Sequence, residues 1–91
     1  MKVAFTDQGR EDYVHWQTAD RQILKRINRL IEDTLRDPYE GIGKPEPLKH
    51  ALAGAWSRHI TDEHRLVYLA ANDEIIILQA RYSYERQRIS V

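Results

Sequence analysis

The sequence predicts an α+β domain in which two helices pack against one face of a sheet. Helical periodicity dominates the first half of the chain, and short strand-like segments separated by turns dominate the second half. The chain has 91 residues, a length that favours one domain with a modest core. No composition shift, internal repeat or low-complexity stretch divides it.

The first half begins with a short strand, Lys2-Val3-Ala4-Phe5. Thr6 or Asp7 can cap a first helix that ends near Gln17, and we expect its inward residues to be Tyr13, Val14 and Trp16. Asp20 then caps a second helix that ends before Asp37-Pro38, because a residue preceding proline avoids the α region. The apolar stripe of this helix has helical spacing and comprises Ile23, Ile27, Leu30, Ile31 and Thr34.

The second half opens with residues 39–47, which hold two glycines and two prolines and read as an ordered loop. Three strands are then predicted at 55–60, 65–70 and 74–82, with a turn at Asn72-Asp73. Short turns between them indicate an antiparallel meander with one face towards the helices. The polar residues 85–91 are expected to form a tail.

The charge balance weighs against a simple nucleic-acid binder, since 14 Lys and Arg offset 14 Asp and Glu. A local basic face is still available, because Arg21, Lys25 and Arg29 are four residues apart along one helix. This stripe could contact RNA or be an ordinary solvated face. The chain has no cysteine, which fits a reducing cytoplasm, and its start resembles neither a signal peptide nor a membrane anchor.

Several kinds of site are disfavoured. Gly41-Ile42-Gly43-Lys44 lacks the spacing of a phosphate-binding loop and runs into proline instead of a helix. The four histidines form no close group on one helix face, and no cysteine assists them. We therefore expect neither a metal site nor a cofactor.

Glu46 is the first candidate for chemistry. It lies between Pro45 and Pro47, which restrict the backbone on both sides. A general base needs a fixed position, and this segment could provide one. The alternative is an ordinary exposed loop carboxylate.

Cationic side chains on the predicted strands are the second candidate. Strand alternation places Arg65 on the face of Val67 and Leu69, and places His64 on the other. A meander could bring Arg65 close to Arg81 or Ser83. Around Glu46, such cations could hold a phosphodiester in a metal-free ribonuclease, in which a carboxylate deprotonates the ribose 2′-hydroxyl and cations stabilise the phosphate. The alternative is a solvated face with salt bridges.

The chain resembles the YoeB/Txe toxins of the wider RelE group over about residues 2–84. The motifs that carry the resemblance occur in order along the chain: Tyr13 to Trp16 followed by Asp20, the run from Asp37 to Leu48, Trp56-Ser57-Arg58, Glu63 to Tyr68, and Ala80-Arg81-Tyr82. The resemblance implies an RNase-like fold, with a twisted antiparallel sheet behind two N-terminal helices, and a toxin domain at residues 1–84. It also implies mRNA cleavage in the ribosomal A site, a YefM-like antitoxin, a homodimer, and operator DNA bound only by the toxin–antitoxin complex.

By position in these motifs, Glu46 matches the general base of the family, Arg65 its phosphate-stabilising arginine and Lys49 a supporting lysine. Arg58 retains the first of a pair of RNA-binding arginines, and His59 replaces the second. Ser83 stands where the family has an acid histidine, and Tyr84 keeps the terminal tyrosine. Lys44 and Arg81 are further candidates for RNA contact.

The departure at Ser83 leaves three functions open. The first is an endoribonuclease toxin of reduced activity, in which His59 or water supplies the proton. The second is a catalytically weakened protein with the toxin fold that acts by binding an antitoxin or the ribosome. The third is a nuclease that acts on other nucleic acids without the ribosome.

Overall fold

The computed structural model describes residues 1–49 and 54–82. The elements are β1 (Lys2–Phe5), α1 (Asp7–Ala19), α2 (Arg21–Arg36), β2 (Glu46–Pro47), β3 (Trp56–His59), β4 (Arg65–Ala71) and β5 (Glu74–Gln79). The strands form one sheet in the order β1-β5-β4-β3-β2. Both helices pack on one face of this sheet, which confirms the predicted α+β class.

The sheet is mixed, whereas the expected sheet was antiparallel. Strands β2 to β5 pair antiparallel, but β1 runs parallel to β5, with Lys2 opposite Glu74 and Phe5 opposite Ile77. Tight turns join antiparallel neighbours, while a parallel pair needs a long crossover connection. The two helices lie within the chain that connects β1 to β5, and β1 forms one edge of the sheet.

Local capping fixes the two helices. The Thr6 hydroxyl accepts from the amide of Gly9 and begins α1. Asp20 ends α1 and begins α2, and its carboxylate accepts from the amides of Gln22 and Ile23. The predicted caps are confirmed, although α1 continues two residues beyond Gln17.

The main core lies between the helices and the sheet. Trp16 of α1 and the α2 stripe pack against the inner face of β4 and β5, whose buried residues there are Leu66, Tyr68, Ile75 and Ile77. The expectation that Val14 faces inward is wrong, because its side chain is 43% exposed. The buried face of α1 carries Gly9, Asp12 and Trp16, and helical geometry turns Val14 away from it.

Helix α1 also determines where β5 ends. The amide of Ala80 donates to the Asp12 carboxylate over 2.9 Å, and its carbonyl accepts from Trp16 Nε1 over 2.8 Å. These bonds satisfy the backbone that would otherwise continue a ladder. Tyr82 has a φ of 59°, which a strand does not allow. The third meander strand therefore ends at Gln79, not at residue 82.

Candidate active site

Three predicted site residues lie together on the sheet face that points away from the helices. Glu46 is opposite Ser57 in the β2–β3 pair, and His59 is opposite Arg65 in the β3–β4 pair. Residues two apart on a strand share a face, so Glu46, His59 and Arg65 share this one. Glu46 and His59 are diagonal neighbours, with roughly 7–8 Å between such positions. Arg65 lies one strand further away, on β4.

Glu46 lies on an edge strand, and the ordered loop predicted here is thus partly sheet. Strand β2 has only two residues, and both are exposed. The next residue, Leu48, is buried and donates its amide to the carbonyl of Ala55 over 2.9 Å. Lys49 follows Leu48 and is exposed. Backbone pairing on both sides therefore fixes Glu46 while its carboxylate stays accessible.

The guanidinium of Arg65 is oriented by hydrogen bonds from one of its nitrogens, Nη1. Its Nη1 donates to the carbonyl oxygens of Thr61, Asp62 and His64, at 2.6, 3.0 and 3.1 Å. Nε and Nη2 make no hydrogen bond to the residues that the structure describes. An arginine oriented in this way keeps donors for an anion such as a phosphate.

His59 lies among charged groups. Its pKa is lowered from the usual 6.5, first because burial disfavours the charged ring and second because Arg65 is close; Lys44 adds to this, while Glu46 and Asp62 oppose it. The lowered pKa favours the neutral ring over the charged one. His59 is therefore chiefly a neutral hydrogen-bonding group here, and it replaces the expected cation poorly.

A cleft of about 310 Å³ adjoins His59. It is bordered by Lys44 on one side, by Thr61 and Asp62 on another, and by Arg26 of α2. Arg26 Nη2 donates to the carbonyl of His59 over 3.2 Å. The sequence did not point to Arg26, because its position relative to β3 depends on how α2 packs. Arg26 also lies outside the four-residue spacing of Arg21, Lys25 and Arg29, so it was not grouped with them.

Arg58 is placed differently from the sequence-based expectation of RNA contact. Its side chain is fully buried on the helix-facing side of β3. All five N–H donors of the guanidinium are used within the protein: Nε on Tyr68 Oη, Nη1 on Asp33 and the Ile42 carbonyl, and Nη2 on the carbonyls of Asp37 and Glu40. No donor remains for a phosphate, so direct RNA contact is excluded in this arrangement.

The carboxylate partner of Arg58 is Asp33, at 2.7 Å from Nη1. The amide of Ile42 and the guanidinium of Arg58 hydrogen bond to Asp33 and lower its pKa to about 2 from the usual 3.8; Arg36 adds to this effect. Asp33 is thus ionised throughout the neutral range, and it neutralises the buried guanidinium.

The remaining predicted contacts are distributed over the molecule. Arg81 packs on the ring of Tyr82 and lies near Asp12, while the carbonyl of Tyr82 accepts from the amide of Arg65 over 3.1 Å. This places Tyr82 beside Arg65. The stripe Arg21, Lys25 and Arg29 is exposed on α2, on the opposite side of the sheet from Glu46. Ser83 and Tyr84 lie outside the described residues.

The described residues offer neither a group of metal ligands nor a membrane-spanning helix. Among residues 1–49 and 54–82, no group of histidine or acidic side chains converges as metal ligands would. In the same part of the chain, no helix has the length and apolar character that crossing a bilayer requires.

Comparison with known proteins places this geometry in a family. Curated relatives include the toxin YoeB of Streptomyces coelicolor, 60% identical over 84 residues that cover 92% of this chain and all of the relative, and the toxin YoeB of Escherichia coli K12, 54% identical with the same coverage. A solved YoeB/ParE toxin from Agrobacterium tumefaciens superposes with a TM-score of 0.89, at 43% identity, over 92% of this chain and all of that one. A YoeB–YefM complex from Staphylococcus aureus superposes with a TM-score of 0.84, at 41% identity, over 92% of this chain and 98% of that one.

The family described as YoeB-like toxin of bacterial type II toxin-antitoxin system matches residues 5–84. The match spans both helices and strands β2 to β5, including the segments that carry Glu46, His59 and Arg65. The chain therefore belongs to the YoeB-like toxins of bacterial type II toxin–antitoxin systems.

Proposed function

We propose that this toxin is a metal-independent endoribonuclease that cleaves mRNA in the ribosomal A site and thereby inhibits translation in the cytoplasm. The observation that carries the proposal is the shared sheet face of Glu46, His59 and Arg65. An accessible carboxylate thus shares a sheet face with an oriented arginine two strands away, whose Nε and Nη2 bind no described residue. General-base catalysis on a phosphodiester needs a base and a cation that can act on one bound substrate.

In the proposed reaction, the Glu46 carboxylate takes the proton of a ribose 2′-hydroxyl. The 2′-oxygen attacks the adjacent phosphorus, and the bond from phosphorus to the 5′-oxygen breaks. Arg65 and Lys49 stabilise the charge that develops on the phosphate. Protonation of the departing oxygen leaves a 2′,3′-cyclic phosphate and a free 5′-hydroxyl.

The source of that proton is the weak point of the site. Ser83 takes the position of the acid histidine, and a serine hydroxyl is a far weaker acid than imidazolium. His59 is a poor substitute near neutral pH because its pKa is lowered. We therefore propose reduced activity, since general acid help is worth about 10²–10⁴-fold in rate. Tyr84 is proposed to complete the site next to Ser83.

The proposed partners follow from the solved relatives. YoeB structures from Staphylococcus aureus include a dimer and complexes with YefM. We propose a YefM-like antitoxin and a homodimer for this chain, with operator DNA bound only through the antitoxin complex. The stripe Arg21, Lys25 and Arg29 is the proposed contact to ribosomal RNA, and residues 1–84 are the proposed toxin domain, with 85–91 as a tail.

Glu46→Gln tests the proposed base. Purified toxin is mixed with ribosomes that carry an mRNA in the A site, and the cleaved ends are mapped. Glu46→Gln should lower cleavage by about 10²-fold or more. Glu74→Gln is the matched control, because Glu74 lies at the far end of β5, and it should cleave like the parent. Equal cleavage by the Glu46→Gln variant and the parent would remove Glu46 from the mechanism.

Ser83→His tests the proposed defect. If the missing acid limits the rate, this variant should cleave faster than the parent, with the largest gain at neutral pH. An unchanged rate would mean that another group already supplies the proton.

The alternative function is a toxin that acts mainly by binding the antitoxin or the ribosome. The lowered pKa of His59 and the serine at position 83 favour it, since both weaken proton donation. Inducible expression separates the two functions. Growth arrest that disappears with Glu46→Gln supports cleavage, whereas arrest that persists with this variant supports binding.

A further inference from the structure

We propose that Arg58 is a positioning residue, which acts through the segment 37–44 to hold Glu46 in place. This inference rests on the proposed endoribonuclease function. Arg58 would thus act inside the protein, by holding the backbone that leads to Glu46, and not by contact with RNA.

The guanidinium of Arg58 binds the backbone of that segment at three points. Nη2 donates to the carbonyls of Asp37 and Glu40, at 2.6 and 3.2 Å, and Nη1 donates to the carbonyl of Ile42 at 3.1 Å. One planar group thus fixes three carbonyls in the six residues that follow the end of α2. A turn without regular backbone pairing gains its shape from such bonds.

Two further side chains complete the arrangement. Asp33, the carboxylate partner of Arg58, also accepts from the amide of Ile42 over 2.8 Å. Tyr68 accepts from Arg58 Nε and donates to the carbonyl of Pro38 over 2.7 Å. The carbonyls of Asp37, Pro38, Glu40 and Ile42 are therefore tied, directly or through Tyr68, to Arg58.

Two glycines let the segment approach the cluster closely. A Cβ on Gly41 would overlap the Asp33 carboxylate, and one on Gly43 would come within 2.7 Å of Leu30 and 3.1 Å of the Arg58 Cβ. Both glycines have positive φ, at 134° and 81°, which other residues rarely adopt. The backbone at this point is thus shaped around Arg58 itself.

The path from this cluster to Glu46 is short and stiff. The carbonyl of Gly43 accepts from the amide of His59 over 2.7 Å, which ties the segment to β3. Only Lys44 and Pro45 then separate Gly43 from Glu46. Proline fixes its own φ, and Pro47 restricts Glu46. A shift at Ile42 or Gly43 is therefore passed on to the carboxylate instead of being absorbed.

Arg58→Lys is the variant that tests the idea. Lysine keeps the positive charge beside Asp33 but has three donors on one nitrogen and no planar fork. It cannot hold Asp33, Tyr68 and three carbonyls together. Arg58→Lys therefore preserves the charge of the cluster but loses most of the hydrogen bonds to the segment.

Two measurements on the full chain carry the test, with ribosome-bound mRNA as substrate and far-UV circular dichroism to establish that each variant is folded at the assay temperature. Arg58→Lys should lower kcat by about 10–100-fold with KM within about twofold of the parent, as expected for a misplaced base. Amide hydrogen exchange at residues 41–44 should become faster. Ile75→Ala, which truncates the core at the other end of the sheet, should destabilise the protein without lowering kcat.

The outcomes separate this inference from the function on which it rests. If Glu46→Gln abolishes cleavage and folded Arg58→Lys keeps the parental kcat, the positioning role is overturned and the proposed function stands. If KM rises while kcat is unchanged, Arg58 acts on substrate binding and the inference also fails. If Glu46→Gln cleaves normally, the proposed function itself fails. Should Arg58→Lys not fold, Gly43→Ala provides the second displacement of the same segment, with the same expected loss in kcat.

Discussion

The Asp33–Arg58 pair allows the most direct test of how this fold is stabilised. Arg58 is fully buried, and Asp33 is the only acidic side chain among the described residues that pairs with it. Its other partners are neutral carbonyls and a phenol. Asp33→Asn keeps the shape of the side chain but removes the negative charge. The buried guanidinium then lacks a counter-charge, and breaking such a pair typically costs about 3–5 kcal/mol.

We expect the lower end of that range for Asp33→Asn, because the side chain of Asp33 is 17% exposed and asparagine can still accept one hydrogen bond. A loss of about 3 kcal/mol corresponds to a fall in Tm of roughly 12–24 °C for a domain of this size. Urea unfolding at pH 7, followed by circular dichroism, measures the loss as a shift of the midpoint at constant m-value.

Arg36→Gln is the matched control. Arg36 also pairs with Asp33, at 3.0 Å, but its side chain is 63% exposed. An exposed pair contributes less than about 1 kcal/mol. The reasoning would be refuted if Asp33→Asn and Arg36→Gln destabilised the protein equally, because the cost would then not come from the buried charge.

Other predictions concern single contacts. Because the pKa of Asp33 is lowered to about 2, its contribution to stability is complete above about pH 4 and is lost as the pH falls towards 2; acid titration of unfolding should show this loss in the parent but not in Asp33→Asn. Burial raises the pKa of Asp12, so the folded protein gains little from its negative charge. The uncharged Asp12→Asn variant should therefore retain the parental stability at pH 7 within about 1 kcal/mol. Asp12→Ala should lose about 1–3 kcal/mol, because it leaves the buried Ala80 amide without an acceptor. Gly9→Ala should cost about 1–3 kcal/mol by urea unfolding, because its Cβ would overlap the Ile77 carbonyl. If His59 supplies the missing proton, cleavage should rise as the pH falls from 8 to 6, and His59→Ala should abolish that rise; a flat profile in the parent would exclude His59 as the acid.

Local signals predicted the helices well. The caps at Thr6 and Asp20 and the apolar stripe of α2 depend on residues within one or two helical turns, so they can be read from the sequence. The parallel pairing of β1 with β5 joins residues more than seventy positions apart, and no local pattern specifies which edge a strand joins. The early end of β5 escaped prediction for the same reason, since Asp12 and Trp16 of α1 hold the Ala80 backbone.

The pair Arg58 and His59 shows where sequence reasoning about the site stopped short. Both were expected to contact RNA, yet neighbours on a strand point to opposite faces. Because His59 shares a face with Arg65, the side chain of Arg58 must point to the helices. Its guanidinium is buried there and needs hydrogen-bond partners within the protein. The alternation of side chains along a strand could by itself have excluded RNA contact for one of the two residues. It could not have supplied the partners, because Asp33 and the carbonyls of residues 37–42 reach Arg58 only after α2 has packed on the sheet. The face opposite Glu46 therefore carries the ion pair that holds the segment leading to Glu46, and on the proposed mechanism the chemistry on one side of the sheet depends on that buried pair.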